Sequence, residues 1–168
     1  QLLNMAELYH RGKQYKQSLS FSQQGLTVVE KIIKRSANLF DSVRSESHKP
    51  RAILLKVRSA YELLQRKDAA SISGLLKELN DALGIIERRK TVIHDSRDIS
   101  LLMEQHIELL GFIKKLTLEL YRINGDLGYI DQLMNLQESG TYSRIRSRLE
   151  ASDSIRFAQV PVSVQELE

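Results

Sequence analysis

The chain has 168 residues, of which 42% are hydrophobic and 27% charged, and it contains neither cysteine nor tryptophan. This balance is typical of a globular domain that buries a core, and it excludes disulfides, thiol catalysis and cysteine-ligated metal sites. The 25 basic and 21 acidic residues give a net charge of +4, which is too small to indicate a nucleic-acid partner on its own.

The hydrophobic residues from Leu19 onward recur at steps of three and four. This spacing predicts one long helix from Gln14 to about Arg44. Residues 45–50 then interrupt the pattern, and Pro50 is suited to the first turn of a new helix, where its missing N–H is not needed. The apolar stripe of that helix lies within 53–64.

Asp68 is placed to cap a further helix, whose apolar stripe extends over 72–93. A break at 94–96 precedes a helix that runs to Ile123, and the following Asn-Gly pair is typical of a helix end. Two shorter helices are predicted over 127–137 and 142–151.

Before the last dozen residues the sequence contains no alternating strand pattern. We therefore predict an all-α fold of about six helices arranged as consecutive antiparallel hairpins, in a helical bundle or a short α-solenoid. Residues 1–156 are expected to form a single domain. Residues 157–168 lose the helical period, and Val160, Val162 and Val164 alternate, which predicts an extended or disordered tail.

Similar short segments recur along the chain at spacings of 55 and 57 residues. They begin with Glu-Leu at positions 7, 62 and 119. A structural repeat of three stacked helical hairpins is one interpretation. Chance recurrence of common helix residues is the other.

The first thirty residues combine small side chains with two tyrosines. Small residues allow two helices to approach closely, and Tyr9 and Tyr15 would fill the wedge between them. The positions that carry this pattern are Leu2, Met5, Ala6 and Tyr9, the turn 12–15, and Ser18, Ser22 and Gly25.

With this pattern, residues 2–30 resemble a tetratricopeptide repeat or the closely similar helical hairpin of microtubule-interacting-and-trafficking domains. The segment departs from the tetratricopeptide pattern because Ser18 stands where alanine is usual and no proline follows Glu30. The resemblance implies protein recognition by a hairpin scaffold rather than catalysis.

The residues that could carry chemistry are scattered. The four histidines have no metal-binding spacing, and the glycines form no phosphate-binding loop. His106 lies on an apolar stripe, and we interpret it as a buried, hydrogen-bonded histidine, with a ligand or catalytic base as the alternative. The sequence thus predicts a protein that is not an enzyme, with no catalytic, metal or cofactor-binding residues.

The stretch from Lys31 to Lys67 contains ten basic and three acidic residues, a local charge of +7. Its helix placement predicts a partner-binding site formed by Lys34, Arg35, Arg51 and Arg58. A solvated helix face without a binding role is the alternative.

Together these patterns predict a non-catalytic interaction or adaptor module within a larger intracellular protein, most simply a cytoplasmic one. Its expected partner is another protein that offers an acidic or amphipathic segment. The alternatives are a peripheral binder of anionic membranes, a nucleic-acid binder, which we favour less, and a structural bundle that forms a homodimer.

Overall fold

The structure, a computed structural model, describes residues 1–36, 45–90 and 96–138. Every regular element in these ranges is an α-helix, and helices that are neighbours in the chain pack against each other. The predicted all-α fold is therefore confirmed. The helices are α1 (Leu2–Arg11), α2 (Tyr15–Arg35), α3 (Lys49–Leu63), α4 (Ala69–Lys90), α5 (Ser96–Asn124) and α6 (128–138).

Three of the predicted helix boundaries are set by local chemistry. Pro50 lies in the first turn of α3, as expected. Asp68 caps α4, since its carboxylate accepts the backbone N–H of Ser71 at 2.8 Å. Gly125 ends α5 with a φ of +68°, a left-handed conformation that glycine adopts without steric cost.

Helix α2 ends at Arg35, earlier than the apolar spacing predicted. Ser36 has an extended backbone, and its hydroxyl donates to the carbonyl of Ile32 at 2.9 Å. The backbone N–H of Ser36 donates to the same carbonyl at 2.9 Å, so this carbonyl accepts two hydrogen bonds where the backbone leaves the helix. The remainder of the predicted helix (37–44), the break at 91–95, the helix at 142–151 and the tail at 157–168 lie outside the described residues.

Helix α3 lies at the centre of the fold because it is buried on two opposite faces. Leu54, Val57 and Tyr61 form one face, within the main hydrophobic core. Ala52 and Ser59 lie on the other face, where Ser59 bonds to α2. Since α3 contacts α1, α2, α4 and α5, it joins the first hairpin to the rest of the helices.

The main core lies between α3, α4 and α5. Within the apolar stripe predicted for α4, Ile72, Leu76, Leu79 and Ile86 are buried in it and Leu75 and Leu83 are partly buried, while 91–93 lie outside the described residues. The residues of α6 that pack against it are Tyr129 and Leu136. Full burial of one aliphatic side chain contributes about 1.5–3 kcal/mol, so this cluster is the main source of stability. Its fully buried members in α4 and α5 are Ile72, Leu79, Ala82, Ile86, Leu109, Ile113, Leu116 and Leu120.

Helices α1 and α2 form the hairpin that the sequence predicted. Tyr9 stacks on Phe21 with a centroid distance of 5.2 Å, and Tyr15 lies 5.4 Å from the ring of His10. Both tyrosines thus bridge the two helices, as expected. Gly25 is buried, and a Cβ at this position would lie 2.7 Å from the side chain of Leu3. The glycine therefore permits the close approach of α1.

We predict that Gly25→Leu destabilises the protein by about 1–3 kcal/mol, because the new side chain would overpack the contact with α1. Gly74→Leu is the matched control, since Gly74 is exposed in α4 and nothing lies within 4 Å of a Cβ there. The control should be neutral or slightly stabilising through helix propensity. Thermal unfolding of both variants tests this, and an unchanged melting temperature for Gly25→Leu would contradict it.

Candidate interaction surface

A chain of polar groups joins the first three helices. The hydroxyl of Ser18 donates to the carbonyl of Ala6 at 2.7 Å, and the hydroxyl of Ser59 donates to that of Ser18 at 2.7 Å. The Nδ1 atom of His10 lies 3.2 Å from the Ser59 hydroxyl. Each of α1, α2 and α3 thus contributes a side chain to one junction.

The direction of these bonds determines the role of His10. Each serine hydroxyl has one proton, and the proton of Ser59 is already donated to Ser18. His10 must therefore carry a proton on Nδ1 and donate it to Ser59. A histidine that activates a serine accepts its proton instead. The junction is consequently built to hold three helices together.

Burial lowers the pKa of His10 below its ordinary value of 6.5, and the neighbouring Arg58 lowers it further while Glu62 opposes the shift. Near pH 6.5 the unfolded chain therefore binds a proton at His10 more readily than the folded chain does. The free energy of unfolding falls as the pH drops through that value. We expect His10→Asn, which keeps an N–H donor and does not titrate, to lose less stability than the wild type between pH 7.5 and 5.5. Urea unfolding at both pH values measures the difference.

An equal loss in both proteins would show that another group titrates in this window. Glu7 does not interfere, because its pKa is lowered from 4.5, mainly by the hydrogen bond from Arg51.

Two of the four predicted site residues are already paired within the chain. Arg51 donates to the carboxylate of Glu7 at 2.5 Å and to the side chain of Asn4 at 3.2 Å, both in α1. Arg58 lies 3.4 Å from the carboxylate of Glu108 and 5.6 Å from the ring centre of Phe112, both in α5. The two arginines occupy one edge of α3, but they connect it to different helices.

The other two predicted residues, Lys34 and Arg35, lie in the last turn of α2 and are exposed. Lys31, one turn earlier, is exposed as well. None of the three forms an ion pair within the part of the chain that the structure describes. Within these residues they therefore differ from Arg51 and Arg58, which are paired.

Two exposed aliphatic residues lie beside these cations and were not predicted as site residues from the sequence. Val28 is 44% exposed and Ile32 is 47% exposed. They continue the stripe of Phe21 and Gly25 on α2, at positions i+7 and i+11 from Phe21. This spacing indicates that Val28 and Ile32 share a helix face with Phe21. It does not indicate whether another helix covers them.

The remaining polar clusters take part in the fold. The hydroxyl of Tyr61 bonds to Glu119 and accepts from Lys67 at 2.9 Å, and burial raises the pKa of this tyrosine, with a further contribution from the bond to Glu119. Lys115 lies 4.3 Å from the Tyr61 ring centre. His106 is buried and lies 2.9 Å from the carboxylate of Glu87, which confirms its interpretation as a buried, hydrogen-bonded residue.

Within the described residues, no group of histidine, aspartate and glutamate side chains is arranged to hold a metal ion. In the same residues, none of the helices has the length and apolar character needed to span a membrane.

Comparison with known proteins gives no relative: no family model matches the chain, and no curated protein or solved structure does so either. The resemblance of residues 2–30 to tetratricopeptide and microtubule-interacting hairpins consequently depends on the residues themselves.

We predict that Arg51→Glu costs about 0.5–1 kcal/mol, because it removes a partly exposed ion pair and places two carboxylates side by side. The double exchange Glu7→Arg with Arg51→Glu should recover part of this loss. It restores the pair between α1 and α3, but it also replaces the pair between Glu7 and Arg11 with two neighbouring cations. Urea unfolding of the two single variants and the double variant forms a thermodynamic cycle that isolates the pair. If Arg51→Glu leaves the free energy of unfolding unchanged, the pair with Glu7 does not stabilise the fold, and Arg51 is a candidate binding residue like Lys34 and Arg35.

Proposed function

We propose that this chain is a non-catalytic protein-interaction module that binds an acidic segment of another protein. The observation that supports this proposal is the set of exposed cations at the end of α2, Lys31, Lys34 and Arg35, which have no carboxylate partner among the described residues. Exposed charge of one sign attracts and orients a partner of the opposite sign.

Lys34 and Arg35 are the principal binding residues in this proposal. Arg51 and Arg58 belong to the same basic stretch, but they would have to leave Glu7 and Glu108 to join the site. We therefore assign them a secondary role. A hairpin scaffold of the tetratricopeptide or microtubule-interacting kind fits this function, and the lack of cysteine fits a cytoplasmic setting.

The alternatives receive less support from the geometry. Binding to an anionic membrane surface by a helix requires a broad apolar face beside the cations. On the cation-bearing side, the C-terminal turns of α2 offer only Val28 and Ile32 among the described residues. Binding to single-stranded nucleic acid requires exposed aromatic rings for base stacking. Of the two aromatic residues within the basic stretch, Phe40 lies outside the described residues and Tyr61 is buried.

The test uses a fluorescent designed peptide of about 18 residues, helical, with leucines on one face and glutamates beside them. We expect Lys34→Glu with Arg35→Glu to weaken its binding by about ten-fold or more at 0.15 M salt. The matched control is Lys16→Glu with Lys77→Glu, which changes the net charge equally at two exposed lysines without ion pairs in the described structure. Fluorescence anisotropy measures the affinities.

The control pair should bind as the wild type does. Equal losses in both pairs would show that only net charge matters, which contradicts a site at the end of α2. Preference for phosphatidylserine vesicles or duplex DNA over the peptide would contradict a protein partner, and a mass in sedimentation that rises with concentration would support the homodimer instead.

A further inference from the structure

The α2 extension, defined as Val28, Lys31, Ile32, Lys34 and Arg35, is the part of α2 that reaches beyond α1. Tyr9 lies on Phe21, and Leu3 lies against Gly25. The two helices are therefore antiparallel, and the first turn of α1 lies beside Gly25. At 1.5 Å per residue, Val28 lies about 4.5 Å and Ile32 about 10.5 Å further along the axis. The stripe that contacts α1 therefore continues for about two turns past the contact between Leu3 and Gly25.

This continuation is apolar and accessible. Val29, the neighbour of Val28, turns inward and is 7% exposed, whereas Val28 and Ile32 remain nearly half exposed. On the cylinder of α2 the two aliphatic side chains lie between the buried face and the exposed cations. The surface thus has an apolar line with a basic row on its outer side.

The position of the cations defines the chemistry of the occupant. Lys31 follows Val28 by three residues, and Arg35 follows Ile32 by three residues, so each aliphatic position has a cation beside it on the same flank. An occupant with carboxylates along one edge of an apolar face would match both features. The part of the stripe that is already covered is covered by a helix, α1, which indicates the geometry of the occupant.

We infer that the partner segment is an acidic amphipathic helix that docks on the α2 extension in line with α1. Its apolar face covers Val28 and Ile32, and its carboxylates face Lys31 and Arg35. This inference depends on the proposed function, since it specifies the form of the acidic segment and the residues that it covers.

The experiment compares Val28→Asp and Ile32→Asp with the matched control Ile107→Asp. Ile107 is 53% exposed, close to the 47% of Ile32, but it lies in α5, away from the α2 extension. The probe is the designed acidic peptide, alongside a second peptide with the same glutamates and with serines in place of the leucines. Anisotropy gives affinities, circular dichroism gives peptide helicity, and melting temperatures report folding.

We expect each α2 substitution to weaken binding of the leucine peptide by about ten-fold or more, because each removes one buried aliphatic contact. Ile107→Asp should bind as the wild type does. The serine peptide should bind the wild type about ten-fold more weakly or worse, and the leucine peptide should gain helicity on binding. All three variants should melt close to the wild type, since the substituted side chains are exposed.

The failure of this inference is distinguishable from the failure of the proposed function. If Lys34→Glu with Arg35→Glu abolishes binding while Val28→Asp and Ile32→Asp bind normally, the acidic partner stands and the docked helix is overturned. If neither set changes the affinity, both proposals fall.

Other occupants of the α2 extension give different results, each of which overturns the inference. Val28→Asp and Ile32→Asp would lower the melting temperature, while Ile107→Asp would not, if another part of this chain covered the surface. The same two variants would dissolve a dimer seen in sedimentation if a second copy covered it. They would release the protein from phosphatidylserine vesicles if the surface met a membrane.

Discussion

The fold depends on the burial of α3 on two opposite faces. A helix at the edge of a bundle buries a single stripe, but α3 places Leu54, Val57 and Tyr61 in the main core and Ala52 and Ser59 against the first hairpin. The two faces differ in chemistry. Large apolar side chains join α3 to α4 and α5, whereas Ala52 and the hydroxyls of Ser18 and Ser59 take part in its junction with α1 and α2. Its position between the two groups orders the whole arrangement.

This central position also explains why the basic residues of α3 differ from those of α2. A helix with neighbours on both sides has edges where charged side chains reach carboxylates of adjacent helices, as Arg51 does with Glu7 and Arg58 with Glu108. The end of α2 extends past α1, so Lys34 and Arg35 meet no such carboxylate within the described residues. Within the described residues, equal charge in the sequence thus gives ion pairs for Arg51 and Arg58 in α3 and none for Lys34 and Arg35 in α2.

The features that the sequence predicted correctly are those that local chemistry determines. Pro50, Asp68 and Gly125 mark helix boundaries because each acts on backbone groups within a few residues. The buried stripes of α4 and α5 follow from helical periodicity in the same way. Gly25 was recognisable because a glycine among small residues indicates a close helix contact.

The features that the sequence left open depend on contacts between distant residues. The early end of α2 is one example, because the apolar spacing of the sequence continues past Arg35 while the backbone turns extended at Ser36. The pairing of Arg51 joins positions 44 residues apart, and no periodicity carries that information. Likewise, the half-exposed state of Val28 and Ile32 depends on which helices pack against α2. The candidate surface was therefore predictable in its charge but not in its apolar part.

The hydroxyl junction between the first hairpin and α3 has a consequence for motion. Separation of α1 and α2 from α3 would break the bonds that Ser59 makes with Ser18 and His10, while the core between α3, α4 and α5 stayed closed. Such partial opening costs less than global unfolding. Amide hydrogens of α1 should accordingly exchange with solvent faster than those in the middle of α5, and the hairpin behaves as a cooperative unit of its own.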